Sequence, residues 1–136
     1  MRYLLAIAIT LATFGTAHAQ VPAQLHGHWC QDMNAMMKLA KASGNGNDLS
    51  VLVYDRKRGK RCPVEDSNDD NSIRISAGRF QWSGFGCTVA QFRDLVRGWQ
   101  VQLKCAPKRK GVAPPWVDEY SIQLVNGQMR MTSLRD

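Results

Sequence analysis

The chain is short of the residues that do acid–base chemistry. It has three histidines in 136 residues, His18, His26 and His28. None stands in a recognisable nucleophile–base set. There is no Gly-x-Ser-x-Gly elbow and no glycine-rich phosphate loop. Asp118 and Glu119 are adjacent, so a strand would point them to opposite faces, where they could not share one substrate. These absences argue against an enzyme, and no catalytic residue and no cofactor is expected. The chain also lacks an apolar run of the roughly 20 residues that a spanning helix needs. Its longest, Tyr3 to Phe14, has 12. Acids are the scarcer charge, 11 against 18 Lys and Arg, for a net +7.

What is present begins with the N-terminus. Met1-Arg2-Tyr3 is a short positive start, Leu4 to Leu11 is a compact apolar stretch, and Ala17-His18-Ala19 is a small-x-small cleavage site before Gln20. This reads as a secretory signal peptide over residues 1–19, followed by one domain over residues 20–136. Removing the signal removes Arg2 alone, leaving 17 basic and 11 acidic residues, or +6. Cys30, Cys62, Cys87 and Cys105 all lie beyond it. An even set of thiols in an oxidising compartment implies disulfides and a periplasmic or secreted location.

The hydrophobic pattern is mostly that of strands. Gln24 to Cys30 suits a first strand. Met33, Met36, Met37 and Ala40 form a helical stripe within Gln31 to Ala42, expected to pack on the core. From Leu49 the period is two: Val51 and Val53, Ile73 and Ile75, then Phe80 and Trp82. Asn126-Gly127 is a type I′ turn dipeptide, setting Val125 against Gln128, Leu124 against Met129 and Ile122 against Met131. Folding about Val96 sets Cys87 against Cys105, Val89 against Leu103 and Gln91 against Val101. Gln91 breaks that apolar face, as a bulge or a slipped turn would explain. Four cysteines allow three pairings; the register favours Cys87–Cys105 with Cys30–Cys62. The fold class is therefore mainly β, a small antiparallel barrel or curved sheet of about seven or eight strands with one early helix, stabilised by disulfides.

Gly27-His28-Trp29 resembles the start of the lipocalin superfamily, whose Gly-x-Trp opens an eight-stranded barrel. The resemblance implies that an Arg of the last strand, here Arg130 or Arg135, packs across Trp29. The Gly-x-Trp-Cys start at Gly27 to Cys30, the Cys62-Pro63 to Ile75 segment, the Gly86-Cys87 strand and the late Cys105 strand also resemble small secreted β-rich proteins of alphaproteobacteria. That second likeness implies a fold and a compartment but no activity.

Several constellations remain. His26, His28 and Cys30 share a strand face, but the thiol is spent in a disulfide, so no metal is expected there. Asp66-Ser67-Asn68-Asp69-Asp70-Asn71 opens like a calcium loop. Ala77 stands where the bidentate Glu belongs, which leaves a solvated acidic turn as the simpler reading. Two basic segments are the binding candidates: Arg56, Lys57, Arg58, Lys60 and Arg61, and Lys108, Arg109 and Lys110, the latter followed by Pro114-Pro115 and Trp116. Trp116 is either part of that binding loop or the first core residue of the next strand. A non-catalytic binding protein for an anionic envelope component or protein follows, with nucleic acid not expected as partner. The alternatives are a periplasmic protease inhibitor on a lipocalin-like barrel, acting through the segment before it, and a small apolar ligand carrier.

Overall fold

A computed structural model describes residues 20–44, 50–56, 62 and 72–135. Eight strands close into an antiparallel barrel in the order β1-β2-β8-β7-β6-β5-β4-β3. They are β1 (Gly27–Gln31), β2 (Val51–Arg56), β3 (Ser72–Ile75), β4 (Arg79–Gln81), β5 (Phe85–Leu95), β6 (Gly98–Pro107), β7 (Trp116–Val125) and β8 (Gln128–Ser133). β1 closes the ring by pairing with β2 on one side and β3 on the other. Closure disposes of the exposed sheet edge that an open curved sheet would carry.

Every neighbouring pair is antiparallel. β1, β4, β6 and β8 therefore run one way and β2, β3, β5 and β7 the other. The first strand does not begin at Gln24, as the pattern suggested. Ala23–Leu25 is instead a 3-10 turn that places Leu25 in the core. Pro22 precedes that turn, and Gly27 follows it with φ 126°. That backbone suits glycine alone and swings the chain into β1.

Inside the barrel, Trp29, Ile73, Phe80, Leu103, Ile122 and Met131 are fully buried in one cluster. The Asn126-Gly127 turn and its register are as expected, with φ 52° and 79° at the two central residues. Cys87 faces Cys105 and Val89 faces Leu103. The next step departs from the simple register. A bulge at Ala90 puts Gln91 opposite Gln102 and Phe92 opposite Val101. The extra residue turns the amide outward and brings the phenyl ring into the core, which removes the conflict in the pattern. The hairpin then turns through Val96-Arg97 to Gly98, at φ 99°. A Cβ there would lie 2.0 Å from the Ile122 carbonyl oxygen, so the position admits no side chain.

The helix α1 (Met33–Ala42) lies outside the barrel against β2. Asp32 caps it by accepting from the Ala35 N–H at 3.0 Å. Gln128 Nε2 donates to Asp32 Oδ2 at 3.1 Å and to Asp55 Oδ1 at 3.0 Å, tying the cap to β2 and β8. The methionine stripe is only half used. Met36 and Ala40 are buried, while Met33 and Met37 are exposed. One strand's outer face is narrower than the stripe and covers only its centre. Val53, on the face of β2 opposite Tyr54, is buried apart from the main cluster.

Both bridges join the favoured cysteines. Cys30–Cys62 spans a Cα separation of 5.5 Å and Cys87–Cys105 one of 4.0 Å, in the range of a non-hydrogen-bonded cross-strand pair. Two disulfides suit an oxidising, extracytoplasmic compartment. No helix among the described residues is long and apolar enough to cross a membrane. The loops closed are 18 and 32 residues long. Opening them is expected to cost about 3 and about 4 kcal/mol on the chain-entropy estimate. Guanidinium unfolding of the protein with and without dithiothreitol measures this; an unchanged midpoint would show that the bridges add nothing.

Candidate functional site

The residues named from sequence part company in the fold. Arg56 ends β2 at the end of the barrel plugged by Leu25. Its guanidinium lies over the Trp29 ring, 4.3 Å from the centroid. It also donates to the His26 carbonyl at 2.9 Å and to the Gln24 carbonyl. The Trp29 indole N–H donates to the Leu25 carbonyl at 3.0 Å. The arginine that crosses the tryptophan thus comes from β2, not from Arg130 or Arg135. β2 is the strand beside β1, and its pairing sets Arg56 directly opposite Trp29. Arg135 lies instead 3.9 Å from Asp118. Lys57, Arg58, Lys60 and Arg61 fall outside the described residues, as does the Asp66 to Asn71 loop.

Lys108, Arg109 and Lys110 are exposed in the loop after β6, and the Lys108 N–H donates to the Gly84 carbonyl at 3.1 Å. β6 runs opposite to β2, so Arg56 and the Lys108 to Lys110 loop stand at opposite strand ends. Trp116 is half-buried as the first residue of β7, opposite Cys105. Its indole N–H donates to Asp118 Oδ2 at 2.8 Å, and its ring packs 5.4 Å from Phe85. Phe85 in turn stacks on Trp82 at 4.6 Å. Trp116 belongs to this aromatic row rather than to an extended loop.

Other cations do come together. Register places Arg79, Thr88, Lys104 and Val117 in one rung across β4, β5, β6 and β7. The neighbouring rung is Arg74, Gln81, Gly86 and Ala106. Further along β5 and β6 come Gln91–Gln102–Glu119 and then Arg93–Gln100–Ser121. All these residues lie on the outward face. Among the described outward positions of β3 to β7, Arg74, Arg79, Arg93 and Lys104 meet a single acid, Glu119. Gln102 Nε2 donates to its Oε1 at 3.1 Å. Sequence reasoning passed over these cations because each is one polar residue in an alternating strand. The signal was there in that alternation; what it lacked was which strands are neighbours.

Two depressions lie in this face. One of about 410 Å³ is lined by Arg79, Thr88 and Lys104 together with Pro115, Trp116 and Val117, so Trp116 borders the cation pair. The other, about 140 Å³, is lined only by Gln91, Arg93, Gln100, Gln102 and Glu119.

Asp118 and Glu119 do point apart: Asp118 goes to the aromatic row and Glu119 to the outer face. His26 Nε2 is 2.8 Å from the Val21 carbonyl. Among the described residues no three His, Cys, Asp or Glu are grouped to hold a metal ion. Burial, and secondarily the Asp118 charge, push the Tyr120 phenol up to about 12. No family model matches the chain, and no match is found among curated proteins or solved structures.

Two outcomes are expected. Arg56→Ala lowers stability by about 1–2 kcal/mol, through the lost hydrogen bonds and ring contact. Denaturant melts of the variant beside the parent protein check this. For Tyr120 the raised folded value means both states keep the proton below pH 10. As pH rises from about 10 towards 12 the unfolded chain loses its proton first, so stability falls through that window. Tyr120→Phe should lack this part of the alkaline slope in melting temperature; an identical slope would remove the assignment.

Proposed function

We infer that the protein is a non-catalytic binding domain for an anionic component of the cell envelope, and that the outward face of β3 to β6 is its binding surface. The observation that carries this reading is the side-by-side placement of Arg79 and Lys104 across Thr88, with Arg74 one rung away and the loop Lys108 to Lys110 following β6. Cations on a rigid sheet surface raise the local concentration of anions and hold them without ordering a loop. Arg56 has no part in this surface, because its guanidinium lies over Trp29 and is held by backbone carbonyls there.

A surface suits this barrel better than an interior. The inward side chains of Trp29, Phe80, Leu103, Ile122 and Met129 are buried against one another in a single cluster, which leaves a carrier little to work with. An inhibitor acting through the segment before the barrel fares no better. Val21 is buried, its N–H donates to the Ala77 carbonyl at 2.8 Å, and Ala23–Leu25 is a 3-10 turn. That segment is built into the end of the barrel.

The test is binding of the mature protein to inorganic polyphosphate and to anionic phospholipid vesicles at low ionic strength. Binding should weaken steeply as salt rises. Arg79→Ala with Lys104→Ala should reduce it about tenfold, on the order of 1.4 kcal/mol for two partly screened contacts. Binding insensitive to salt, or to both substitutions, would falsify the reading.

A further inference from the structure

The outward face is not uniformly basic, and its order along the strands is specific. The rung Arg79–Thr88–Lys104 is followed by Gln91–Gln102–Glu119, and that by Arg93–Gln100–Ser121. Successive rungs on one face of a strand are about 6.8 Å apart. The middle rung and its neighbours make the smaller depression, whose five lining side chains are all planar and polar: three amides, one guanidinium and one carboxylate. The bulge at Ala90 is what turns Gln91 onto this face.

We propose that this face binds an acidic polysaccharide, with acid groups on Arg79, Lys104 and Arg93 and sugar hydroxyls in the depression of Gln91, Gln100, Gln102 and Glu119. The proposal rests on the anion-binding reading above and names its ligand class. Three features of the stripe favour a glycan over a bilayer or a plain polyanion. Primary amides both donate and accept, as hydroxyls do, so a rung of glutamines can pair with sugar hydroxyls in either sense. Glu119, oriented by Gln102 at 3.1 Å, accepts from hydroxyls but repels a second acid group. A polymer charged at every step would set a negative charge against Glu119. A sugar chain whose acid groups are separated by neutral hydroxyls would not. Finally, the depression has no apolar side chain to enter a lipid layer. Of the exposed apolar residues, Met33, Met37, Val112 and Leu134 sit on the helix, in a loop and after the last strand, Leu124 is near the end of β7, and Leu95 and Val96 lie at the hairpin tip beyond the Arg93 rung, outside the depression.

The experiment is titration calorimetry of the mature protein at low salt against four probes: hyaluronan, whose acid sugars alternate with neutral ones, neutral dextran of similar length, inorganic polyphosphate, and phosphatidylglycerol vesicles. The variants are Gln91→Ala with Gln100→Ala, and Arg79→Ala with Lys104→Ala. Thermal melts of both check folding. The proposal expects hyaluronan to bind and dextran to bind far more weakly. It expects the glutamine variant to lose about tenfold in hyaluronan affinity, the loss of about two neutral hydrogen bonds. Polyphosphate binding by the same variant should change less than about twofold, since that probe presents no hydroxyl to the amides. Hyaluronan binding unchanged in the glutamine variant overturns the proposal. Polyphosphate or vesicle binding without hyaluronan binding overturns it too, while leaving the anion-binding reading in place. Failure of every anionic probe removes both. If the glutamine variant melts early, the single substitution Gln91→Ala, on an exposed side chain, replaces it with the same criteria.

Discussion

Trp29 is the point on which the barrel closes. Its ring is fully buried, its indole N–H is held by the Leu25 carbonyl, and Arg56 lies across it. That contact joins three parts of the chain: the turn before β1, β1 itself, and the end of β2. Arg56 adds its own hydrogen bonds to the carbonyls of residues 24 and 26. β1 has five residues and pairs on both sides, and strand pairing without an apolar face to bury is marginal in water. A buried aromatic ring capped by a cation supplies the remaining cohesion, and it does so without burying a charge, because the guanidinium stays at the exposed rim.

The next residue faces the other way. Cys30 points outward and carries the chain across to Cys62, so the two faces of β1 do different jobs. The long link between β2 and β3 is thereby anchored to the strand that separates them. The second bridge lies inside, joining the longest hairpin at its register. A domain of this size buries less of its surface than a large one, and crosslinks that limit the unfolded chain matter correspondingly more.

With the interior given over to packing and one flank covered by the helix, the strands from β3 to β7 are left to present a surface. The Gly27 to Trp29 start leads to the expectation of an arginine from the last strand over the tryptophan. The arginine found there comes from the second strand. This frees Arg130 and Arg135 from the role and engages Arg56 at the barrel end. In the proposed reading the binding surface is a sheet face, where cations and amides are held at fixed spacing.

Much of this was legible in the residues alone. The hairpin at Asn126-Gly127, the pairing of Cys87 with Cys105, the helix ending near Ser43 and the mainly β character all follow from local rules, because turn dipeptides and period-two alternation act within a few residues. Sequence by itself also determined which side of most strands is polar, β5 beyond its bulge excepted. It did not show that Arg79 and Lys104 share a rung, that Gln91 turns outward at a bulge, or that Arg56 reaches Trp29. Those facts depend on strand order and shear, which are set when the sheet closes on itself. Closure is a global condition: only after all eight strands have found their neighbours does a polar residue on one strand acquire a partner on the next.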